Sequence, residues 1–317
     1  AEVHGFAAVH ALTSLIKTST YIVFIMEISS NSSKLNCGIK AVILDITGVL
    51  KESGPNGGTA VEGSIDALNR LYASGLTVRF CTNETTVTRN TLARQLRSLG
   101  FTIDEEKVFP PIPAMCKILE ENKLRPHLLV HPDALSDFGH IDVKDPNCVI
   151  IGDATDQFTY ENMNKAFQCL KGLEKPKLFA LGKGKYYQEE GQLILDVGPF
   201  MKALEYATGV TAEIVGKPSS FFFNAVLRDM GTTARETVMV GDDIVSDIGG
   251  AQSCGMIGVL VRTGKFRPQD ENHPDVKPDI IVDNLAKFVD LLLLTSRMPT
   301  KTSSFFHLSS GHANKNT

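Results

Sequence analysis

The sequence has no apolar run close to the ~20 residues that a membrane-spanning helix needs. Its nearest candidate, residues 21–26, is far too short. The six cysteines (Cys37, Cys81, Cys116, Cys148, Cys169, Cys254) include no C-x-x-C pair, and several sit in apolar runs. That pattern predicts reduced thiols in a cytosolic protein, not a disulfide framework. The eight histidines show no metal-ligand spacing, which argues against zinc. No G-x-x-x-x-G-K-[ST] spacing occurs, since Gly264-Lys265 runs into Phe266, so no P-loop is expected. No strand-linked G-x-G-x-x-G marks a dinucleotide fold either. With a net charge of −4, the chain has no general attraction to nucleic acid or to an anionic membrane. Lys17 is preceded by no Lys or Arg and followed by no A-x-A site, so no secretory signal is expected. The glycosylation patterns at Asn31-Ser32-Ser33 and Asn83-Glu84-Thr85 read as chance, and no internal repeat is visible.

What remains is the composition of a soluble globular protein, 43% apolar and 21% charged. Ala41, Val42, Ile43, Leu44 and Ile46 surround a single carboxylate, Asp45, and read as a strand buried on both faces. A Gly-, Pro- and Asn-rich flap follows over 48–63, then a helix capped by Ser64 and running to about 74. Strand 76–81 and helices 88–99 and 113–121 continue an alternation that predicts a doubly wound parallel sheet. From about 124 to 209 the alternation repeats, either as a second, smaller α/β domain or as more of one sheet. Strands at 237–240, 257–261 and 280–282 and helices at 220–230 and 285–294 complete the pattern. Residues 1–37 are expected to form a poorly ordered extension, and 295–317 a disordered tail. Met26 lies near the start of the recognisable pattern and is a candidate start of the native protein.

Four polar groups fall at predicted strand ends: Asp45, the Thr82-Asn83 turn, Lys217, and Asp242-Asp243 with Asp247. The C-terminal edge of an open α/β sheet is where ligands bind. Each group alone has a plain alternative. Asp45 can cap a turn, a Gly-Lys-Pro lysine can be solvated, and paired carboxylates can serve a helix dipole. Taken together they suit phosphoryl chemistry. Two strand-end carboxylate positions can hold a hard cation, most simply Mg²⁺, while a hydroxyl and a lysine supply donors for a tetrahedral anion.

The set, in the order nucleophile, Thr, Lys, acidic pair, resembles the haloacid dehalogenase superfamily of phosphohydrolases. The insertion between Thr82 and Lys217 is similar to that superfamily's larger α/β cap. The resemblance covers roughly 38–294 and extends to the cap stretches Leu181-Gly182-Lys183-Gly184 and Leu195-Asp196-Val197-Gly198-Pro199. It implies a Rossmann-like core in two parts, 38–123 and 213–294, with a cap over 124–212. By the same resemblance Asp45 is the nucleophile that forms an aspartyl-phosphate, and Thr47 and Lys217 are further catalytic positions. Asp45, Ile46, Thr47, Thr82, Asn83 and Lys217 would bind substrate. The Asp45 and Asp242 side chains and the Thr47 main-chain carbonyl would hold Mg²⁺, with Asp243 and Asp247 orienting them. A homodimer and a location in the cytoplasm, extending to the nucleus, are also implied.

Most members carry an Asp two residues after the nucleophile as general acid and base; here that place is Thr47. A hydroxyl cannot protonate a leaving alkoxide near neutral pH, which would cost ~10²–10⁴ in rate. Thr47 therefore disfavours sugar phosphates and fits inorganic pyrophosphate, phosphohistidine, phospholysine and imidodiphosphate, whether as small molecules or phosphorylated proteins. The alternatives are a catalytically weak phosphoprotein-binding regulatory module, or a general small-molecule phosphatase of the same cap type. In the cap, Gly182-Lys183-Gly184-Lys185 either closes over the site or forms a solvated basic turn.

Overall fold

A computed structural model describes Leu35, residues 38–189 and residues 191–295. The expectations for the N-terminal extension, for Met26 and for the tail otherwise lie outside the described residues. Leu35 itself packs in the main apolar cluster, and Thr295 is buried at the end of the last helix.

The first strand, β1 (Ala41–Leu44), is buried throughout, and its alternation serves two faces. A hairpin of β2 (Lys51–Glu52) and β3 (Thr59–Ala60) makes the flap. It is followed by α1 (Ser64–Ala73), β4 (Thr77–Cys81), α2 (Arg89–Ser98) and β5 (Val108–Phe109). The chain then passes through α3 (Pro111–Asn122), β6 (Pro126–Leu129), β7 (Cys148–Ile151), α4 (Tyr160–Gly172) and β8 (Leu178–Ala180). Next come β9 (Tyr186–Glu189), β10 (Gln192–Leu195), α5 (Val197–Thr208) and β11 (Glu213–Ile214). The last part holds α6 (Ser220–Met230), β12 (Thr237–Gly241), a π-type turn over Ile244–Gly249 and α7 (Gly250–Ser253). It closes with β13 (Ile257–Val261), β14 (Ile280–Val282) and α8 (Leu285–Thr295).

Six strands form a parallel sheet in the order β14-β13-β12-β1-β4-β5. Val42 and Leu44 join Leu68, Leu71, Phe288 and Leu292 on one face. Ala41 and Ile43 meet Phe222, Phe223 and Val226 on the other. The chain winds outward through β4 and β5, then returns to build β12 to β14 on the opposite side of β1. That reversal opens a crevice at the C-terminal ends of β1, β4 and β12. A second parallel sheet runs β11-β8-β7-β6 and is also covered on both faces. The inserted domain is therefore a sheet of its own, not a continuation of the first.

Several expectations are corrected. Ser64 does not cap its helix; Gly63 holds that place, and the Ser64 hydroxyl shares its one hydrogen between the carbonyls of Val61 and Leu50, at 2.7 and 2.8 Å. Helix α3, expected with the larger sheet, contributes Ile112, Met115, Cys116 and Leu119 to the cluster on the smaller one. Strand β11, read as the return to the core, pairs with β8 in the smaller sheet. The antiparallel pair β9-β10 was not anticipated, because its turn carries Gly191 at φ 78 without the Asn-Gly or Asp-Gly signal of a tight hairpin.

Candidate active site

Strand β1 delivers Asp45 to the crevice, where its N–H donates to the Val240 carbonyl at 2.9 Å. Asp45 Oδ1 accepts the Ile46 N–H and lies 2.7 Å from Lys217 Nζ. The same ammonium stands 2.7 Å from Asp247 Oδ1 and donates to the Cys81 carbonyl at 2.9 Å. Lys217 is thus a buried cation shared between two carboxylates. Its backbone is gripped by Asn83, whose Oδ1 accepts the Lys217 N–H at 2.8 Å while Nδ2 donates to the Lys217 carbonyl at 2.9 Å. At the end of β4 the Thr82 hydroxyl is buried and accepts the Glu84 N–H.

Asp242 leaves the end of β12 and accepts the Lys265 N–H on Oδ2 at 2.8 Å. Its buried Oδ1 has no hydrogen-bond partner among the described residues. Gly48 and Gly264 close around this carboxylate: a Cβ at either would lie 2.1 Å from Oδ2, and both have positive φ. Only glycine allows that approach. Asp243 turns away to structural work. Its Oδ1 caps the N–H groups of Val245 and Ser246 at 2.9 Å, and its Oδ2 meets Lys265 Nζ at 3.0 Å.

One oxygen each of Asp45, Asp242 and Asp247 lies within 4.8 Å of the others. A buried carboxylate oxygen without a donor, beside two further carboxylates, is the environment that a hard divalent cation satisfies. Burial pushes Asp242 well above the usual carboxylate range, with the Asp45 charge adding to the shift. Burial also lifts Asp247 to about 7, again reinforced by Asp45, while Lys217 opposes it. Desolvation alone would lower Lys217, but Asp247 and Asp45 outweigh it and raise it further. For Asp243, Lys265 overcomes the effect of burial and holds the carboxylate below its ordinary range.

Eight of the expected positions, Asp45, Thr47, Thr82, Asn83, Lys217, Asp242, Asp243 and Asp247, line one cavity of about 360 Å³. The Ile46 side chain is instead fully buried in the main cluster, so only its backbone reaches the site. Lys183 and Lys185 are exposed and do not line the cavity, so their turn is the solvated one. Lys265 was not anticipated as a site residue. Its signal was the Gly before it, which has to tolerate Asp242. Also unforeseen were Lys51, Glu84 and the cap residues Asp153, Tyr187, Glu189 and Asp196, which close the cavity from above. Cap and core are tied where the Asp153 N–H donates to Thr85 Oγ1 at 3.0 Å and Arg267 donates to Gln188 Oε1 at 3.2 Å.

A capped doubly wound sheet with these carboxylates and a lysine at the switch point defines a hydrolase of the haloacid dehalogenase class. Profiles described as haloacid dehalogenase-like hydrolase and as HAD-hydrolase-like match residues 42–144 and 214–288. Human phospholysine phosphohistidine inorganic pyrophosphate phosphatase is 58% identical over 256 residues, covering 81% of this chain and 95% of its own. The Danio rerio protein of the same name is 56% identical over 255 residues, or 80% and 94% of the two chains. The fold is shared with 4-nitrophenylphosphatase from Thermotoga maritima, at 24% identity and a TM-score of 0.73 over 81% of this chain and 98% of that one. The chain belongs to the haloacid dehalogenase-like hydrolase family and is an enzyme of its phosphatase class.

Proposed function

We propose that the chain is a Mg²⁺-dependent phosphatase that cleaves anhydride and P–N bonds through an aspartyl-phosphate on Asp45. Its substrates would be inorganic pyrophosphate, imidodiphosphate, phosphohistidine and phospholysine, the first, third and fourth of which appear in the names of its relatives. The observation that carries this reading is the Asp45 carboxylate, held through Oδ1 by Lys217 and the Ile46 N–H at the end of β1. Both contacts fall on Oδ1 and leave Oδ2 for attack.

Oδ2 attacks phosphorus, the bond from phosphorus to the leaving oxygen or nitrogen breaks, and its electron pair departs with that atom. The Lys217 ammonium supplies positive charge and the Thr82 hydroxyl a donor to the phosphoryl oxygens as charge spreads onto them. Asn83 acts through Lys217, whose backbone it fixes. Water then attacks phosphorus, which releases phosphate and restores the carboxylate. The cation would be held by the Asp45 and Asp242 side chains and the Thr47 carbonyl. When bound, it offsets repulsion between nucleophile and phosphoryl group. Thr47 brings no acid, so a leaving group that departs without a proton from position 47 is favoured. The buried, unpaired thiols Cys81, Cys116 and Cys148 support a reducing compartment such as cytoplasm or nucleus.

Asp45→Asn should abolish Mg²⁺-dependent hydrolysis of imidodiphosphate while circular dichroism stays native. Full activity in that variant would remove Asp45 from the nucleophile role.

A further inference from the structure

On the floor of the cavity four carboxylates meet two lysines. Asp45 and Asp247 share the Lys217 ammonium, Asp243 meets the Lys265 ammonium, and Asp242 accepts the Lys265 backbone N–H. The rest of the wall carries six more carboxylates: Glu52 from the flap, Glu84 from the loop after β4, and Asp133, Asp153, Glu189 and Asp196 from the cap. Lys51 is the one lysine on that part of the wall among the described residues. Four of them, Asp153, Asp196, Glu84 and Glu189, are close enough to act on one another. Burial, with Asp196, Glu84 and Glu189 adding to it, lifts Asp153 to about 7. Three of the four are fixed by their own loops. Thr155 N–H donates to Asp153 at 3.1 Å, Val197 N–H to Asp196 at 2.6 Å and Thr86 N–H to Glu84 at 2.7 Å.

A phosphate pocket with such a wall repels an anionic leaving group and attracts a cationic one. Its standing as a ligand site does not depend on these acids, because the buried, unpartnered Asp242 Oδ1 lines the same cavity. We infer that the acidic wall, through Asp153 and Glu189 in particular, is a specificity surface for a positively charged leaving group, such as the basic polypeptide segment around a phosphorylated lysine or histidine. This rests on the reading of Asp45 as the nucleophile below that wall. It ranks P–N substrates on basic chains above free pyrophosphate, whose leaving group is an anion.

The test combines Asp153→Asn with Glu189→Gln in the full chain and compares kcat/KM for phospholysine and imidodiphosphate. The ratio of phospholysine to imidodiphosphate should fall about tenfold, with imidodiphosphate rising as repulsion is relieved. Equal changes on both substrates would overturn the inference. Glu189→Gln alone, at an exposed hairpin residue, carries the same comparison at about threefold if the double variant does not fold. Calorimetric titration with trilysine needs no turnover. Wild type should bind it and the double variant about tenfold more weakly, whereas equal or absent binding in both would sink the inference. If Asp45→Asn still hydrolyses substrate while trilysine binding follows Asp153 and Glu189, the nucleophile reading falls and the wall stands.

Discussion

On the floor of the cavity, Lys217 stands 2.7 Å from both Asp45 and Asp247. On the roof, Asp153, Glu189 and Asp196 have no ion pair among the described residues. Asp45 and Asp242 leave the ends of β1 and β12, whose backbones are fixed by neighbours on both sides, while Lys217 follows the edge strand β11 of the smaller sheet and Asp247 lies in the turn over Ile244–Gly249. The roof groups sit on the loops after β7 and β10 and on the β9-β10 hairpin. Charge on the floor is thus placed at the sheet's edge and partly offset within the protein by Lys217 and Lys265. Charge that selects what is attached to phosphorus is placed by loops, and its counter-ion is left for the substrate to bring.

The sharpest way to break this contrast is Lys217→Met. It leaves two buried carboxylates side by side without their cation and should cost about 3–5 kcal/mol of stability. Glu189→Gln on the roof should be neutral or stabilising, because it removes a like charge. Urea denaturation of both variants measures the difference. Equal stability for the two would mean that the floor is not held by its ion pairs.

The same contrast decides what the sequence could show. Asp45 was legible because a carboxylate inside an apolar run of strand length has few places to be. Thr82 and Asp242 were legible because the topology sends the ends of β4 and β12 to the same edge as that of β1, and Lys217 by its place in the motif order, since its strand β11 belongs to the smaller sheet. Asp153 and Glu189 were not, because nothing in the composition of a loop or of a short hairpin says which way its side chains turn. Asn83 illustrates a subtler limit: its position beside Thr82 was evident, but that both ends of its amide are spent on the Lys217 backbone needs the fold. The joints between the two sheets were misread for a similar reason. Helix α3 has an apolar face that fits either sheet, and only packing against Val130, Phe138 and Ile150 decides it.

A smaller effect is expected at Thr47, which lines the cavity beside the floor groups. Thr47→Asp should supply a proton to poor leaving groups. Turnover of an alkyl phosphate relative to pyrophosphate should then rise by about 10²-fold, the low end of general-acid catalysis. A ratio that does not move would mean that leaving-group chemistry is not what position 47 selects, and would leave the roof alone to account for preference.

The smallest effect separates the roof's own electrostatics from its role in binding. Asp153 titrates near 7 in the folded chain, against 3.8 as the ordinary value, because burial and then its acidic neighbours disfavour its charge. The folded state therefore holds a proton that the unfolded state releases, and stability falls as pH rises from about 4 to about 7. Below that window Asp153 is neutral in both states and contributes no difference; above it the penalty is fully present. Asp153→Asn should match wild type in thermal unfolding near pH 4 and exceed it by a few degrees at pH 8. Adding trilysine at pH 8 should narrow that gap, since a bound cation relieves in wild type the repulsion that the substitution removes. A gap that is the same at every pH would show that Asp153 carries no buried charge, and the difference between floor and roof would then reduce to geometry.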